Sequence, residues 1–241
     1  MKISVITTLK ELAVELPGAA RVFDKLGIDY CCGGARTLQD ACASAGLESH
    51  EVLSQLQAAN QATTARTGAT HWPEESLAAL IGFIIKKHHL FTTQELDRIE
   101  PLLARVRSVH VKRHPELSEI EALFKALKPE LTTHMKKEEM ILFPYISELE
   151  DALSNDNPGP SPMFGTVRNP IRMMRMEHDA AGEILRNIRK LSSGFLVPPD
   201  ACASYQTLYQ ALEALEHDLH QHIHLENNVL FPRAEALEDR Q

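Results

Sequence analysis

The sequence predicts an all-α protein, a small N-terminal helical domain followed by a C-terminal antiparallel four-helix bundle. Three observations carry that expectation. From Pro73 onward, apolar residues recur at helical spacing over four long stretches. Segments rich in Pro, Gly and Asn separate the stretches. No run with strand alternation of comparable strength appears among them.

The elements follow in chain order. In LKELAVELPGAARVFDKLG, residues 9–27, apolar positions fall at helical spacing, with Pro17 suited to open a second helix and Gly27 to end it. DYCCGG, residues 29–34, interrupts the pattern. Thr37 is placed to cap TLQDACASAG, Gly46 to stop it, and Ser49 to cap a further short helix. ANQATTARTGATHWP, residues 59–73, loses periodicity and reads as a linker. The expected domains are therefore 1–58, a helical domain carrying CCGG, and 74–241, the bundle, joined by 59–73.

Within the bundle, Ile85, His89, Leu96, Leu103 and His110 share one stripe of a helix expected over about 74–111, closed near Pro115. Further helices are expected over roughly 116–150, 170–192 and 200–237. SNDNPGPSPMFGTVRNP, residues 154–170, is the long loop before the third. Short breaks elsewhere make neighbouring helices antiparallel.

A net charge of −8 argues against a general binder of nucleic acid or anionic membranes, which would need a basic face. The first residues lack the apolar core of a signal peptide, and no run of about 18 apolar residues occurs, so the expected location is the cytoplasm. In a reducing compartment the four cysteines are expected to be free, redox-active or metal-binding.

The chemistry lies in a repeat. HMKKEEMILFP, residues 134–144, and HIHLENNVLFP, residues 222–232, both read His-x-x-x-Glu followed by Leu-Phe-Pro at the same offsets. Four residues apart, His134 and Glu138 share a helix face, as do His222 and Glu226. A single such pair is usually a surface ion pair. Two of them aimed into an apolar interior would strand two carboxylates there, and a bound metal removes that cost. Leu-Phe-Pro is read as core packing plus a local weakening of the helix.

The other two helices each offer a histidine. His178 lies in RMEHDAAGEIL, and the first helix carries His88, His89 and His110. His89 and His110 stand about 31 Å apart on a straight helix and cannot serve one compact site. In a hairpin turning near residues 112–116, His134 falls level with residues 90–94, which favours His89; its place on the stripe favours it over His88, although helix rotation decides between the two. The candidate ligands are His89, His134, Glu138, His178, His222 and Glu226. Four imidazoles and two carboxylates exceed the three protein ligands of a catalytic zinc and suit two metals bridged by the glutamates. Imidazole with carboxylate fits iron without excluding zinc or manganese. Glu139, Glu177 and Asp179 flank ligands and are candidate acceptors for imidazole N–H groups.

DYCCGG together with HMKKEEMILFP, MEHDAAGE and HIHLENNVLFP makes the chain similar, over nearly its whole length, to the iron-sulfur cluster repair di-iron proteins, hemerythrin-like bundles with an N-terminal ScdA-type cysteine-pair domain. The resemblance implies a non-haem di-iron centre on the same six residues, two irons per chain, oxo-bridged when oxidised. It implies repair of clusters damaged by nitric oxide or oxidants through iron donation, with damaged iron-sulfur proteins as clients and nitric oxide or oxygen as small ligands. It also places His110 on a family histidine. Three alternatives stand beside donation: a nitric oxide reductase, a sensor or store of nitric oxide or oxygen, and a helical structural protein with incidental histidines.

Cys31 and Cys32 are adjacent and could form only a strained ring disulfide, so they are expected to act as thiols in redox exchange, iron handling or client docking. Gly33 and Gly34 let the backbone approach closely, and the helix start near Thr37 is expected to favour thiolate. Cys42 and Cys202 are expected to pack, with Cys42 near enough in sequence to join the pair.

Overall fold

The structure, a computed structural model, describes residues 3–16, 18–64 and 72–240, and the side chains of 61–64 lie outside the description. Pro17 and residues 65–71 of the expected linker are therefore outside the described residues. Among those described, regular structure is helical apart from one isolated bridge between Thr8 and Thr37. No described helix is long and apolar enough to cross a membrane. The chain divides into two compact units, Met1–Leu80 with His220–Arg240, and Ile81–Leu219.

In the first unit, helices α1 (Leu9–Glu15), α2 (Ala19–Leu26), α3 (Leu38–Ala45) and α4 (Ser49–Thr64) enclose a core that includes Leu9, Leu12, Phe23, Tyr30, Leu38 and Leu56. Helices α1 and α3 start on threonines. Thr8 accepts from the Glu11 amide while Glu11 accepts from the Thr8 amide, and Thr37 Oγ1 accepts from the Asp40 amide at 3.1 Å. The Leu38 amide donates to Thr7 O (3.0 Å) and the Leu9 amide to Arg36 O (2.9 Å), so the two starts are pinned to each other. As the sequence predicts, α2 and α3 stop at left-handed glycines, Gly27 (φ 66°) and Gly46 (φ 68°). Ser49 begins α4 instead of capping it. That helix runs to Thr64, six positions into the expected linker, because residues 57–64 contain neither Gly nor Pro to stop it.

Long helices, three of which contain a widened π turn, build the second unit, and two of them begin or end in residues of the first. Helix α5 (Leu77–Phe83) passes through π-helical Ile84–His89 into α6 (Leu90–His110). Then α7 (Glu116–Lys137) passes through Glu138–Leu142 into α8 (Phe143–Ser154). After the loop comes α9 (Arg168–Leu191), and α10 (Ala203–Leu225) passes through Glu226–Leu230 into α11 (Phe231–Glu238). The core of this unit draws Leu96 and Leu103 from α6, Phe124 and Leu131 from α7, Leu185 from α9, and Leu212 and Leu215 from α10, making a four-helix bundle. Only five residues join α6 to α7, so the chain reverses there.

Two of the π turns have a cause in the sequence. Pro144 and Pro232 each lie six residues after a ligand-candidate glutamate and have no N–H for the carbonyl four residues back. Widening the preceding turn accommodates the ring and keeps the helix going. The sequence reading expected this weakening but not its form.

The α6–α7 turn is held by ionic hydrogen bonds. His114 Nε2 meets Asp200 Oδ1 at 3.0 Å and Nδ1 meets Glu116 Oε1 at 3.1 Å. Burial alone would lower the His114 pKa, but the hydrogen bonds to Asp200 and Glu116 raise it above 6.5. A raised value means that the contribution to stability is full below the unfolded value and is lost as pH rises through the folded one. His114→Gln should therefore lower the unfolding temperature at pH 6 and change it little at pH 9, and a proton NMR titration of the wild type should give His114 a pKa above 6.5.

Candidate metal centre

Glu138 opens the π turn after α7 and is fully buried. Its Oε1 lies 3.3 Å from His134 Nε2 and its Oε2 3.4 Å from His89 Nε2. One carboxylate thus presents each of its oxygens to an imidazole from a different helix. His178, from α9, brings Nε2 to 3.1 Å from His134 Nε2, and one donor atom each from His134, Glu138 and His178 lies within 4.8 Å of the others. Two nitrogens bound at about 2.1 Å to one metal stand about 3.0–3.4 Å apart for right or tetrahedral angles, so the pair fits a shared ion. His89, His134 and His178 are all nearly inaccessible to solvent.

The outer ring nitrogens fix the imidazoles. His89 Nδ1 meets Glu139 Oε1 at 2.7 Å, and His134 Nδ1 meets Glu177 Oε2 at 2.8 Å. Each Nδ1–H then donates to a carboxylate, leaving the Nε2 lone pair aimed at the site. Burial would raise the Glu177 carboxyl, but hydrogen bonds from Lys137 and His134 hold it below its usual range. Asp179, the third flanking acid, is exposed. A cleft of about 540 Å³, walled by Leu131, Met173, Met176 and Ala180, ends on His134 and His178.

The remaining histidines of the first helix take other partners. His88 Nδ1 meets Asp218 Oδ2 at 3.0 Å and its ring lies edge-on to Phe83. His110 Nε2 lies 3.2 Å from Cys202 Sγ, with its ring against Tyr205 at the turn end of α6. Cys202 itself is exposed, against the expectation that it packs, because it precedes α10 and contributes nothing to the core.

In the first unit, His222 Nε2 lies 2.9 Å from Glu226 Oε1, and both residues are buried. They repeat His134 and Glu138 in residue type, spacing, burial and the π turn that begins at the glutamate.

Residues 80–234 match the hemerythrin HHE cation binding domain, and residues 6–60 match ScdA_N, a domain of unknown function. The chain is 35% identical over 225 residues to a probable iron-sulfur cluster repair protein of Haemophilus influenzae, covering 93% of this chain and 95% of that one. It is 34% identical over 231 residues to the iron-sulfur cluster repair protein YtfE of Pectobacterium atrosepticum, covering 94% and 96%. It is 35% identical over 229 residues to the YtfE of Citrobacter koseri, covering 95% and 96%. The chain belongs to the iron-sulfur cluster repair family.

The cysteine pair of this family member lies in a loop of the first unit that is tied to the second His/Glu pair's own π turn. Asn227 Nδ2 donates to Cys31 O and Asn228 Nδ2 to Tyr30 O, both at 3.2 Å, and these asparagines directly follow Glu226. Asn228 also meets His224 Nδ1 at 2.9 Å, and the His224 ring lies against Tyr30. Burial lowers the His224 pKa to about 4, so the ring stays neutral at physiological pH. Both cysteines are free thiols. The sequence expectation of thiolate is corrected at Cys31. Its hydrogen bond to Cys32, its burial and the nearby Asp29 push the thiol well above its ordinary value. Cys42 lies in the α1–α4 core and is not part of the pair.

Sequence reasoning missed Asp29, Asn227 and Asn228. The Asp29 signal was present: an aspartate three and four residues before backbone amides that need an acceptor is a common turn device, and Asp29 Oδ1 accepts from Cys32 N (2.9 Å) and Gly33 N (3.1 Å). The asparagines had no local signal, because their partners lie 196 and 198 residues away.

Two outcomes follow from this geometry. Glu177→Gln should weaken metal binding about 10- to 100-fold in a chelator competition, with the helical circular dichroism spectrum unchanged. A Cβ on Gly34 would come within 2.9 Å of both Asn228 Oδ1 and Tyr30 O. Gly34→Ala should therefore cost about 1–3 kcal/mol in denaturant unfolding and speed alkylation of Cys31.

Proposed function

We propose that this chain repairs iron-sulfur clusters damaged by nitric oxide or oxidants, and that it does so by donating iron held by His89, His134, Glu138, His178, His222 and Glu226 as a di-iron centre, oxo-bridged when oxidised. The observation that carries the reading is Glu138, whose two oxygens face imidazoles of different helices as a carboxylate shared by two ions would. The second His/Glu pair, with its matching π turn, supplies a second such carboxylate. The names of the relatives supply the client class, damaged iron-sulfur proteins.

Iron is the cargo here, and its Lewis acidity towards cluster sulfide is the chemistry it brings. The chain's own residues determine whether it can leave. Neutral imidazoles and carboxylates hold iron less tightly than thiolates do. As the ion departs, the Nε2 atoms of His89, His134 and His178 take up hydrogen-bonding protons or water, while Glu139 and Glu177 hold His89 and His134 in place. The cleft ending on His134 and His178 gives an acceptor a route to that ligand pair. The proposed organisation keeps residues 1–58 as the cysteine-bearing domain and 74–241 as the iron-holding bundle, in keeping with the two family matches.

Anaerobically purified protein should hold about two irons per chain and show oxo-bridge absorption when oxidised, and His178→Ala should reduce both. The double variant Glu138→Ala, Glu226→Ala should lose paired iron and fall at least tenfold in restoring a damaged iron-sulfur enzyme. Normal repair by that variant would refute iron donation.

A further inference from the structure

Asp29, Cys31 and Cys32 gather three donor atoms that the His/Glu set does not use, all within 4.8 Å of one another. The two Sγ atoms are 3.9 Å apart, and Cys31 Sγ is 3.4 Å from Asp29 Oδ1. A tetrahedral ion with metal–sulfur bonds of about 2.3 Å and a metal–oxygen bond of about 2.1 Å sets sulfur–sulfur and sulfur–oxygen edges of about 3.8 and 3.6 Å. The loop already has nearly those edges between the two sulfurs and between Cys31 Sγ and Asp29 Oδ1. We propose that Asp29, Cys31 and Cys32 form a second, mononuclear site for a thiophilic divalent cation, ferrous iron or zinc, with the fourth position left to an exchangeable ligand.

Several contacts hold the three donors in this arrangement. The Cys32 and Gly33 amides fix the Asp29 carboxylate from within the loop. Asn227 and Asn228 hold the carbonyls of Cys31 and Tyr30 from outside it. A Cβ on Gly33 would come within 2.6 Å of Asp29 O, so the return of the chain over the carboxylate requires glycine there. Cys31 is buried while Cys32 and Asp29 are partly open, which leaves the fourth position on the solvent side. The Asp29 carboxylate supplies one negative charge to a cation, and the two sulfurs become anionic as their protons leave on binding. Uptake of one ion replaces the two thiol protons, which pass to solvent, and no electron is transferred. Resting on the iron-donor reading, this site would take a single iron in transit. The site itself does not depend on that reading.

Cobalt(II) titration of the full-length reduced protein is the direct test, because only thiolate ligation gives strong sulfur-to-cobalt absorption in the near ultraviolet. The expected result is one sulfur-ligated cobalt per chain. The band should vanish in the double variant Cys31→Ser, Cys32→Ser and persist in His134→Ala, His178→Ala. Asp29→Asn, which keeps the acceptor oxygen for the two amides, should weaken cobalt binding about 10- to 100-fold. In unaltered protein, equimolar zinc should also protect Cys31 and Cys32 from alkylation, a readout that needs no variant to fold. Absence of the sulfur band, its survival in the double serine variant, or unprotected thiols would overturn the proposal. Oxo-bridge absorption of the oxidised wild-type protein, which a mononuclear site does not give, tests the His/Glu reading separately, so the two can fail independently.

Discussion

A carboxylate sealed from water is costly unless positive charge or donors surround it, and Glu138 is sealed completely. Much else in the second unit is arranged around that constraint. The α7 helix widens at Glu138, and imidazoles from α7 and from the π turn before α6 are brought to its two oxygens. Acids on the outer side of two of those imidazoles orient them in turn. An apolar side chain at position 138 would relieve the desolvation and remove the reason for the surrounding polar groups. The chain instead keeps a polar cluster against a core of Leu, Ile and Phe, an arrangement that a cation makes stable.

The same economy of placement ties the cysteine loop to the second His/Glu pair. Glu226, Asn227 and Asn228 are consecutive, so one turn of widened helix carries a metal-ligand candidate and the two side chains that hold the Cys31 and Tyr30 carbonyls. Movement of that turn would be felt by the thiols through two hydrogen bonds. The buried, neutral His224 and the ring of Tyr30 fill the space beside it with little polar freedom.

Much of the fold was legible because helix signals are local. Thr37, Gly27 and Gly46 mark ends through their own backbone preferences, and Leu96 and Leu103 of the expected stripe lie on a core face, whereas Ile85 is only partly buried and Ile84 takes the buried position. His89 Nε2 lies 3.4 Å from Glu138 Oε2, and His88 Nδ1 meets Asp218. Residues whose roles depend on distant partners were not legible. Asn228 meets Tyr30 across the sequence, and Cys202 lies beside His110 because the ends of two helices meet at the same turn. Thr37 begins a helix, but the thiol it was expected to acidify is governed by nearer neighbours, Cys32 and Asp29.

The π turns also bear on how the chain tolerates change in length. A π turn amounts to one extra residue in an otherwise α-helical ladder. Removing a single residue from 138–142 would let the helix close into regular α geometry with the turns downstream keeping nearly their facing, whereas the same deletion in a regular α stretch would swing everything beyond it by about 100° about the axis. With the residue taken from 138–142, the apolar face of α8 would still meet its core and His134 would stay in place, while the widened turn that Glu138 opens would be lost. The register of the donor and the register of the core beyond it are thus set independently on one continuous helix. Insertions or deletions there would separate metal binding from folding, whereas the same change in the 155–167 loop would leave both registers intact.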